Sequence, residues 1–252
     1  MVAGTWLTPL VYDPLFNRFD PLQKAHPELI APLEQVVART GVAIPPERMF
    51  LMHASDKVTG INAYVTGFGP SKRFVIWDTS IAQVTPEQLM FIFGHETGHY
   101  VLHHIVQGMV FSVVLLLLFF WLGYRTMRWV LARWGGRWQV PSQNDWGALV
   151  VLLLVLSCID FLAAPIENGF SRHIEHAADV YGQEAIHGLV VNPQATAVSA
   201  FQHIGESYLE DPAPNPLVEF WMFNHPSVAR RAAFAQSYDP WAPGGRPRYF
   251  RK

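Results

Sequence analysis

The chain has 252 residues and a formal net charge of −2; half of its residues are hydrophobic and only 15% are charged. It has no basic run and no interleaving of aromatic with basic residues, so we do not expect it to bind nucleic acid. Its one cysteine, Cys158, excludes an intrachain disulfide and any cysteine-based zinc site, which leaves His, Glu and Asp as candidate ligands. The hydrophobic excess lies mostly in two runs, which favours membrane insertion over a large soluble core.

The first part of the chain predicts an irregular lead-in followed by one helix. Met1 is not followed by a basic stretch and an apolar core, so no signal peptide is expected, and frequent prolines and aromatics up to Pro27 predict irregular structure. Apolar residues at helical spacing predict an amphipathic helix over 27–39, and Gly41 is expected to end it.

A small antiparallel sheet is predicted next. Its three β-type segments are 48–53, 60–66 and 73–78, and the turn at 67–71 is a plausible hairpin connection between the last two. The third segment is apolar on both faces, as expected for a strand that is covered on both sides.

A helix that carries candidate metal ligands is predicted to begin at Thr85, with Pro86 at its first position and Gln88 at the capping-box position. His95 and His99 lie four residues apart and therefore on one face of that helix. Two imidazoles on one face can hold a zinc ion, and the intervening Glu96 can reach a water bound to it. Zinc lowers the pKa of such a water to about 7, and the carboxylate takes its proton during attack on a carbonyl. A five-residue match also arises by chance, so a third ligand is needed.

Two apolar runs predict two membrane-spanning helices. The helix that carries His95 and His99 is expected to continue directly into the first run, 105–124. As a helix, these twenty residues span about 30 Å, the thickness of a bilayer's hydrocarbon core. The second run is 146–166, and a polar loop is predicted over 125–145. The stretch 113–122 has no polar face to present to water, which argues against a buried core helix.

The C-terminal part is predicted to be helical, with helices at 171–187, 193–209 and 227–236, a proline-rich stretch before the last, and a loose tail over 241–252. The predicted fold class is mainly α with a small antiparallel β-sheet. One protease-type domain would be formed by 1–104 and 167–240, on either side of the spanning helices.

The third ligand is not expected directly after the histidine pair. Leu102 and Ile105 stand where a metzincin-type site has a glycine and a third histidine, so that class is excluded. His103 and His104 follow closely, but His103 lies a full turn beyond His99 and would strain to share one ion. We expect both to support the site indirectly or to lie at the membrane interface.

Glu175 is the better candidate for the third ligand. It lies four residues before Asp179 on a predicted helix, so both carboxylates face the same way. Glu175 can complete a His₂Glu set, while Asp179 can accept the free N–H of one ligating imidazole. Alone, this spacing is more often a solvated charged face; the His95–His99 helix in the same chain favours the metal interpretation.

Several stretches of the chain combine into a recognisable pattern. In chain order they are Pro14-Leu15-Phe16-Asn17-Arg18-Phe19, Asn62-Ala63-Tyr64, Lys72-Arg73-Phe74-Val75-Ile76-Trp77-Asp78-Thr79, His95 to His99, Ser171-Arg172, Glu175 to Asp179, His225-Pro226 and Arg231. Together they resemble the integral-membrane zinc metalloproteases that include the CAAX prenyl protease and its bacterial relatives. The membrane heat-shock protease branch is a more distant relative. The resemblance implies a gluzincin-like protease domain interrupted by two transmembrane helices.

The resemblance also implies roles for single residues. One Zn²⁺ per chain would be bound by His95, His99 and Glu175, with Glu96 as the general base.

Three further residues acquire roles by the same resemblance. Asn62, on an edge strand, would hold the substrate backbone. His225 would stabilise the oxyanion or grip the peptide, and Arg231 would anchor that region next to the site. Each has a plainer alternative, namely a turn amide, a helix-start histidine and a surface charge.

The predicted function is a membrane-embedded zinc-dependent metalloendopeptidase, either CAAX-prenyl-protease-like or acting in membrane protein quality control. Its expected partners are a peptide or protein substrate, membrane-associated or prenylated forms included, and the lipid bilayer. The alternative from another class is a catalytically silent membrane scaffold that keeps a structural zinc site. The intact Glu96 argues against it, since a structural site needs no base.

Two features depart from the resemblance. The family carries further spanning helices ahead of the 14–19 stretch, so we expect either a C-terminal portion of a longer protein or a natural short form. The resemblance places the catalytic side in the cytoplasm, whereas the positive-inside rule would place the loop between the spanning helices there. The arginines of that loop are Arg125, Arg128, Arg133 and Arg137.

Overall fold

The computed structural model describes residues 13–67 and 72–250. In this part of the chain the helices, in order, are α1 Asp13–Phe16, α2 Leu22–Ala25, α3 Ile30–Thr40, α4 Asp78–Ile81, α5 Pro86–Val101, α6 His104–Trp138, α7 Gly147–Ala185, α8 Pro193–Ser207, α9 Pro216–Met222 and α10 Val228–Ser237. Short 3₁₀ turns are Pro27–Leu29 and Pro46–Arg48. The strands are β1 Phe19–Pro21, β2 Met49–Met52, β3 Ala63–Thr66 and β4 Arg73–Trp77.

The first predicted helix is confirmed. Its opening turn at Pro27 is 3₁₀, and α3 then continues to Thr40. Gly41 ends α3 in the left-handed region, with φ of 69°, and its N–H donates to the Val37 carbonyl at 2.9 Å. Glycine adopts this conformation without steric cost, which explains the stop.

The sheet is mixed, so the prediction that all its strands are antiparallel was wrong. Its strand order is β1-β2-β4-β3: β4 pairs antiparallel with β3 but parallel with β2. The chain crosses from β2 to the far edge, forms β3 there and returns through the middle as β4. Phe74, Val75 and Ile76 of β4 are fully buried, and a strand with two apolar faces is best accommodated in the centre of a sheet. Of the hairpin turn predicted at 67–71, only Gly67 lies within the described residues.

The main core lies between the sheet and helices α5 and α8. The Phe93 ring of α5 lies 4.4 Å from Phe74, and the Phe91 ring lies 5.1 Å from Phe201 on α8. These contacts fix α5 from two sides.

Helix α5 begins as predicted but does not continue into the next helix. Thr85 Oγ1 accepts from the Gln88 N–H, and the Gln88 side chain accepts from the Thr85 N–H at 2.8 Å, which completes the capping box. At the other end Leu102 closes the helix and His103 takes a left-handed conformation with φ of 56° before α6 starts at His104. The prediction of one continuous helix was therefore wrong, because the hydropathy of the sequence carries no signal for such a backbone break.

Helices α6 and α7 are longer than the apolar runs that predicted them. Within the described residues they are the two helices long and apolar enough to cross a membrane, judged by length and composition. The loop predicted over 125–145 is reduced to residues 139–146, because α6 extends to Trp138. Met127 and Leu131 of α6, one turn apart, pack on Val151 and Val155 of α7, which favours helix beyond the end of the apolar run.

Helix α7 joins the second apolar run to the helix predicted over 171–187 and passes through Pro165. Proline has no N–H, so the carbonyl four residues earlier, that of Phe161, loses its partner within the helix. Trp221 Nε1 donates to that carbonyl at 3.0 Å. A side chain distant in sequence thus supplies the missing hydrogen bond.

The tail predicted as loose is held in place up to residue 250. Glu184 of α7 is fully buried and accepts from the backbone N–H groups of Arg248, Tyr249 and Phe250 at 2.6–3.0 Å. A buried carboxylate needs such donors, and three consecutive amides supply them. The sequence alone did not reveal this long-range contact.

Candidate active site

Close packing of α5 on α7 creates the site. Gly94 and Gly98 on α5 face α7, and Gly182 of α7 lies so near that a Cβ on it would be 2.9 Å from the His95 backbone nitrogen. Only glycine permits this approach. The contact brings Glu175, two turns before Gly182, opposite the two histidines of α5.

Three side chains converge on one point. His95 Nε2 and His99 Nε2 are 3.1 Å apart, and the Glu175 carboxylate oxygens lie 3.4 Å from the first and 3.5 Å from the second. Among the described residues this is the group of histidines and acids whose ligand atoms all lie within 4.8 Å of one another. Two imidazoles and one carboxylate form the His₂Glu donor set of catalytic zinc sites, so the residues fit the ion that the sequence predicts.

The electrostatics of the group also favour a cation. Burial lowers the pKa of His95, but the Asp179 and Glu175 carboxylates outweigh it and raise that pKa to about 10. Burial raises the pKa of Glu175, yet His95 and His99 lower it further, so it stays below its usual value. The cluster therefore keeps a negative carboxylate facing a positive charge, the arrangement that a bound cation would satisfy.

Asp179 lies behind His95. Its Oδ1 is 2.9 Å from His95 Nδ1, and both its oxygens accept from Arg231, at 3.0 Å from Nε and 2.6 Å from the terminal nitrogen. Arg231 is itself covered by the Phe201 ring, 4.3 Å from its guanidinium carbon. The bidentate pair fixes the carboxylate, and the carboxylate faces the nitrogen that points away from the metal position.

Replacing Asp179 by asparagine is expected to weaken zinc binding by about 10–100-fold, because the imidazole of His95 loses its charged partner. Zinc affinity measured by competition with a chromophoric chelator checks this. Asp56→Asn, at an exposed ion pair with Arg18 far from the cluster, is the matched control and should leave the affinity unchanged. An unaltered affinity in Asp179→Asn would contradict the orienting role.

His104 occupies the corresponding place behind His99. Its Nδ1 lies 3.1 Å from His99 Nδ1, and the residue is buried. On a continuous helix, residues five apart do not share a face, so the left-handed His103 brings this pair together. Of the two histidines expected to support the site or to lie at the interface, His104 is the one in contact with the cluster.

Glu96 and His225 both lie next to the cluster. Burial raises the pKa of the Glu96 carboxyl above its usual value, against the charges of His95 and His99. His225 Nε2 is 3.4 Å from Glu175 Oε2, its Nδ1 contacts the Asn224 side chain at 2.8 Å, and half of its side chain is exposed. Both residues are accessible from the cavities that flank the cluster.

Asn62 directly precedes β3, one of the two edge strands of the sheet. Its N–H donates to Ser80 Oγ at 2.7 Å and its carbonyl accepts from the Trp77 N–H at 3.0 Å, while its side chain is exposed. It lines a cavity of about 370 Å³ that also contains Glu96 and His225. The sequence placed this residue on the strand itself; the structure places it one position before.

A second cavity, of about 480 Å³, also adjoins the cluster and is lined in addition by His99 and His104. Val65 of β3 lines this second cavity and Ala63 lines the first. Residues two apart on a strand face the same way, so β3 extends past the cluster from one cavity to the other.

Two residues that hold the His225 segment had no role assigned from the sequence. Arg172 donates to the carbonyls of Glu219 and Phe223, and the buried Glu219 accepts from the Ser227 N–H at 3.1 Å. The available signals were modest: Arg172 precedes Glu175 by three residues on one helix, and Glu219 is the one acidic residue in an otherwise apolar stretch.

Comparison with known proteins gives a consistent result. The model of peptidase family M48 matches residues 23–239. The uncharacterized metalloprotease YhfN of Bacillus subtilis (strain 168) is 32% identical over 92% of the chain, and CAAX prenyl protease 1 of Saccharomyces cerevisiae is 26% identical over 91%. The chain spans 52% of the length of each.

The crystal structure of Ste24p from S. mikatae has the same fold, with a TM-score of 0.74 over 94% of the chain and 55% of that structure, at 24% identity. The resemblance to the CAAX prenyl protease family, drawn from the motifs, is confirmed by these matches.

Proposed function

Because this chain belongs to peptidase family M48, we propose that it is a membrane-embedded zinc metalloendopeptidase that hydrolyses peptide bonds. The observation that carries the proposal is the convergence of His95, His99 and Glu175 within 4.8 Å, with Glu96 next to them in the same cavities. A structural zinc site is closed, whereas this one opens on two cavities.

His95, His99 and Glu175 would hold one Zn²⁺ per chain. The ion would supply Lewis-acid chemistry, polarising a carbonyl and making water more acidic. The two outer nitrogens face Asp179 and His104, at 2.9 Å and 3.1 Å, which leaves both Nε2 atoms as ligands. Such partners fix the tautomer and the orientation of each ring.

Glu96 is the general base and then the general acid. Its carboxylate takes a proton from the attacking water and later gives it to the leaving amine. Burial raises its pKa, which makes it a better proton acceptor than an exposed carboxylate. His225, on the open side of Glu175, can direct an N–H at the carbonyl oxygen as that oxygen gains charge.

The substrate binds in an extended conformation along β3. An extended peptide adds to the edge of a sheet through backbone hydrogen bonds, and a peptide added along β3 passes the cluster from one cavity to the other. The exposed Asn62 amide, directly before this strand and in the same cavity as Glu96, holds the peptide backbone. Residues of the substrate on either side of the cleaved bond then lie in different cavities.

The proposed substrates are peptides associated with a membrane, prenylated ones or damaged membrane proteins among them. The relatives named CAAX prenyl proteases support prenylated peptides as substrates. The long apolar helices α6 and α7 are compatible with both prenylated peptides and damaged membrane proteins. We propose that both helices span the bilayer and that the catalytic domain lies on the cytoplasmic side, as the family resemblance implies. The arginines near the C-terminal end of α6 favour the opposite orientation by the positive-inside rule, and we give the resemblance more weight.

Reconstitution in phospholipid vesicles tests the proposal. The protein should cleave an unfolded or a prenylated peptide, lose this activity on dialysis against a strong chelator and regain it with one equivalent of Zn²⁺. Zinc-loaded protein that cleaves neither peptide would contradict the proposal and favour the silent scaffold.

A further inference from the structure

Helix α9 is attached to α7 at an unusual place. Trp221 donates its indole N–H to the Phe161 carbonyl, the one that Pro165 leaves without a helical partner. The two rings, Phe161 and Trp221, lie 5.0 Å apart, and Asn168 Nδ2 donates to the Trp221 carbonyl at 2.6 Å. Three contacts thus join α9 to about two turns of α7 around the proline, from Phe161 to Asn168.

The outward side of α9 is apolar and exposed. Its one charged residue, Glu219, turns inward and is buried. Four of its large apolar side chains are exposed, as are three large apolar side chains on α7 around Pro165. On α9 these are Leu217, Val218, Phe220 and Met222, and on α7 Phe161, Leu162 and Ile166. Phe161 joins the two sets through its contact with Trp221. So many exposed large apolar side chains in one region are more than the scattered single residues of an ordinary protein surface.

The contact with Phe161 sets the depth of α9 in the membrane. Phe161 lies inside the apolar run 146–166, five residues or about 7.5 Å before its end. Polar side chains appear directly beyond that end, with Glu167, Asn168 and Arg172. A tryptophan next to Phe161 therefore stands at the boundary between hydrocarbon and headgroups, where tryptophan is favoured.

We propose that α9 is a membrane-interface helix that inserts its apolar side into this boundary layer of the bilayer. The inference rests on the proposed function in one respect, that α7 spans the membrane. Short amphipathic segments bind in this way by burying apolar area among the acyl chains.

The position of α9 affects the candidate active site through His225, because His225 lies in the segment that follows α9. The segment between α9 and α10 is held at its start by Arg172, which donates to the Phe223 carbonyl, and at its end by Glu219, which accepts from Ser227. His225 lies between these two anchors, 3.4 Å from Glu175. The bilayer thus supports the helix that positions His225.

Spin labels test the location directly. In a Cys158→Ser background reconstituted in phosphatidylcholine vesicles, nitroxides are attached at Met222→Cys on α9, at Leu154→Cys on the exposed side of α7 and at Glu206→Cys on α8. We expect the labels on Met222→Cys and Leu154→Cys to be quenched by oxygen more than by a water-soluble nickel chelate, and the label on Glu206→Cys to show the reverse.

Two results at Met222→Cys would overturn the inference: quenching mainly by the nickel chelate, or little quenching by either agent, which would mean that protein covers α9. A label on Leu154→Cys quenched by the nickel chelate would instead contradict the spanning of α7 and with it the proposed function. The two failures are therefore distinguishable.

The proline contact is tested by a double-mutant cycle. Trp221→Phe leaves the Phe161 carbonyl without its donor and should lower peptide cleavage several-fold, with zinc content unchanged. Pro165→Ala restores the helical N–H, so the same Trp221→Phe change should cost less in that background. An equal fold-loss in both backgrounds would contradict the role of this bond. We also expect Trp221→Phe to move the spin label at Met222→Cys toward water when Pro165 is present, and to leave it in place in the Pro165→Ala background.

Discussion

Glu96→Gln is expected to keep zinc bound and to lower peptide cleavage by about 10²–10⁴-fold, the usual contribution of a general base. Glutamine has the same shape as glutamate but takes no proton from water. The three ligand atoms lie on other side chains and remain 3.1–3.5 Å apart, so the metal site is untouched. Zinc content by atomic emission and cleavage of a fluorogenic peptide give the two readouts.

Glu87→Gln is the matched control for this variant. Glu87 lies in the first turn of the same helix, is exposed and lines neither cavity. It should retain both zinc and activity. Full cleavage by the Glu96→Gln protein would refute the assignment of the base.

Glu175→Ala is expected to lose zinc and, with it, all measurable cleavage. Without the carboxylate the site keeps two imidazoles, which is below the three protein ligands of a catalytic zinc site. The two histidines would also lose the negative charge that faces them at 3.4–3.5 Å. Zinc retained after gel filtration, measured per chain, gives the result, and far-ultraviolet circular dichroism shows whether the helices remain.

Glu206→Ala, an exposed carboxylate on α8, controls for the loss of a charge. Glu175→Gln keeps the side-chain volume and separates ligation from packing; it should also lose zinc. If Glu175→Ala binds one zinc with wild-type affinity, the third ligand is elsewhere, and His225 would be the first residue to examine, because it lies 3.4 Å from Glu175.

Local signals in the sequence predicted much of the structure. Thr85, Pro86 and Gln88 predicted where α5 starts, and Gly41 predicted where α3 ends, because caps act within a few residues. The placement of the site residues was predictable for the same reason: the i, i+4 spacing of His95 with His99 and of Glu175 with Asp179 places each pair on one face of its helix.

Features that depend on distant residues were not predictable. The parallel pairing of β2 with β4 depends on which edge β3 occupies. The passage of α7 through Pro165 depends on Trp221, and the position of the tail depends on Glu184, each more than 50 residues away in sequence. Propensity describes none of these contacts.

The break at His103 is the most consequential difference at the site. The sequence predicted one helix from the ligands into the membrane, and in that geometry His104 would face away from His99. The left-handed residue turns it back to 3.1 Å. A non-glycine residue in that region is uncommon, and here it brings His104 against His99 at the candidate site.

X-ray absorption at the zinc edge tests the central claim most directly. We predict one zinc per chain with two imidazole nitrogens at about 2.0–2.1 Å, the remaining ligands being oxygen atoms. Glu175→Ala should show no such signal. Three or more imidazoles around the zinc, or a chain that binds none, would contradict the site built by His95, His99 and Glu175.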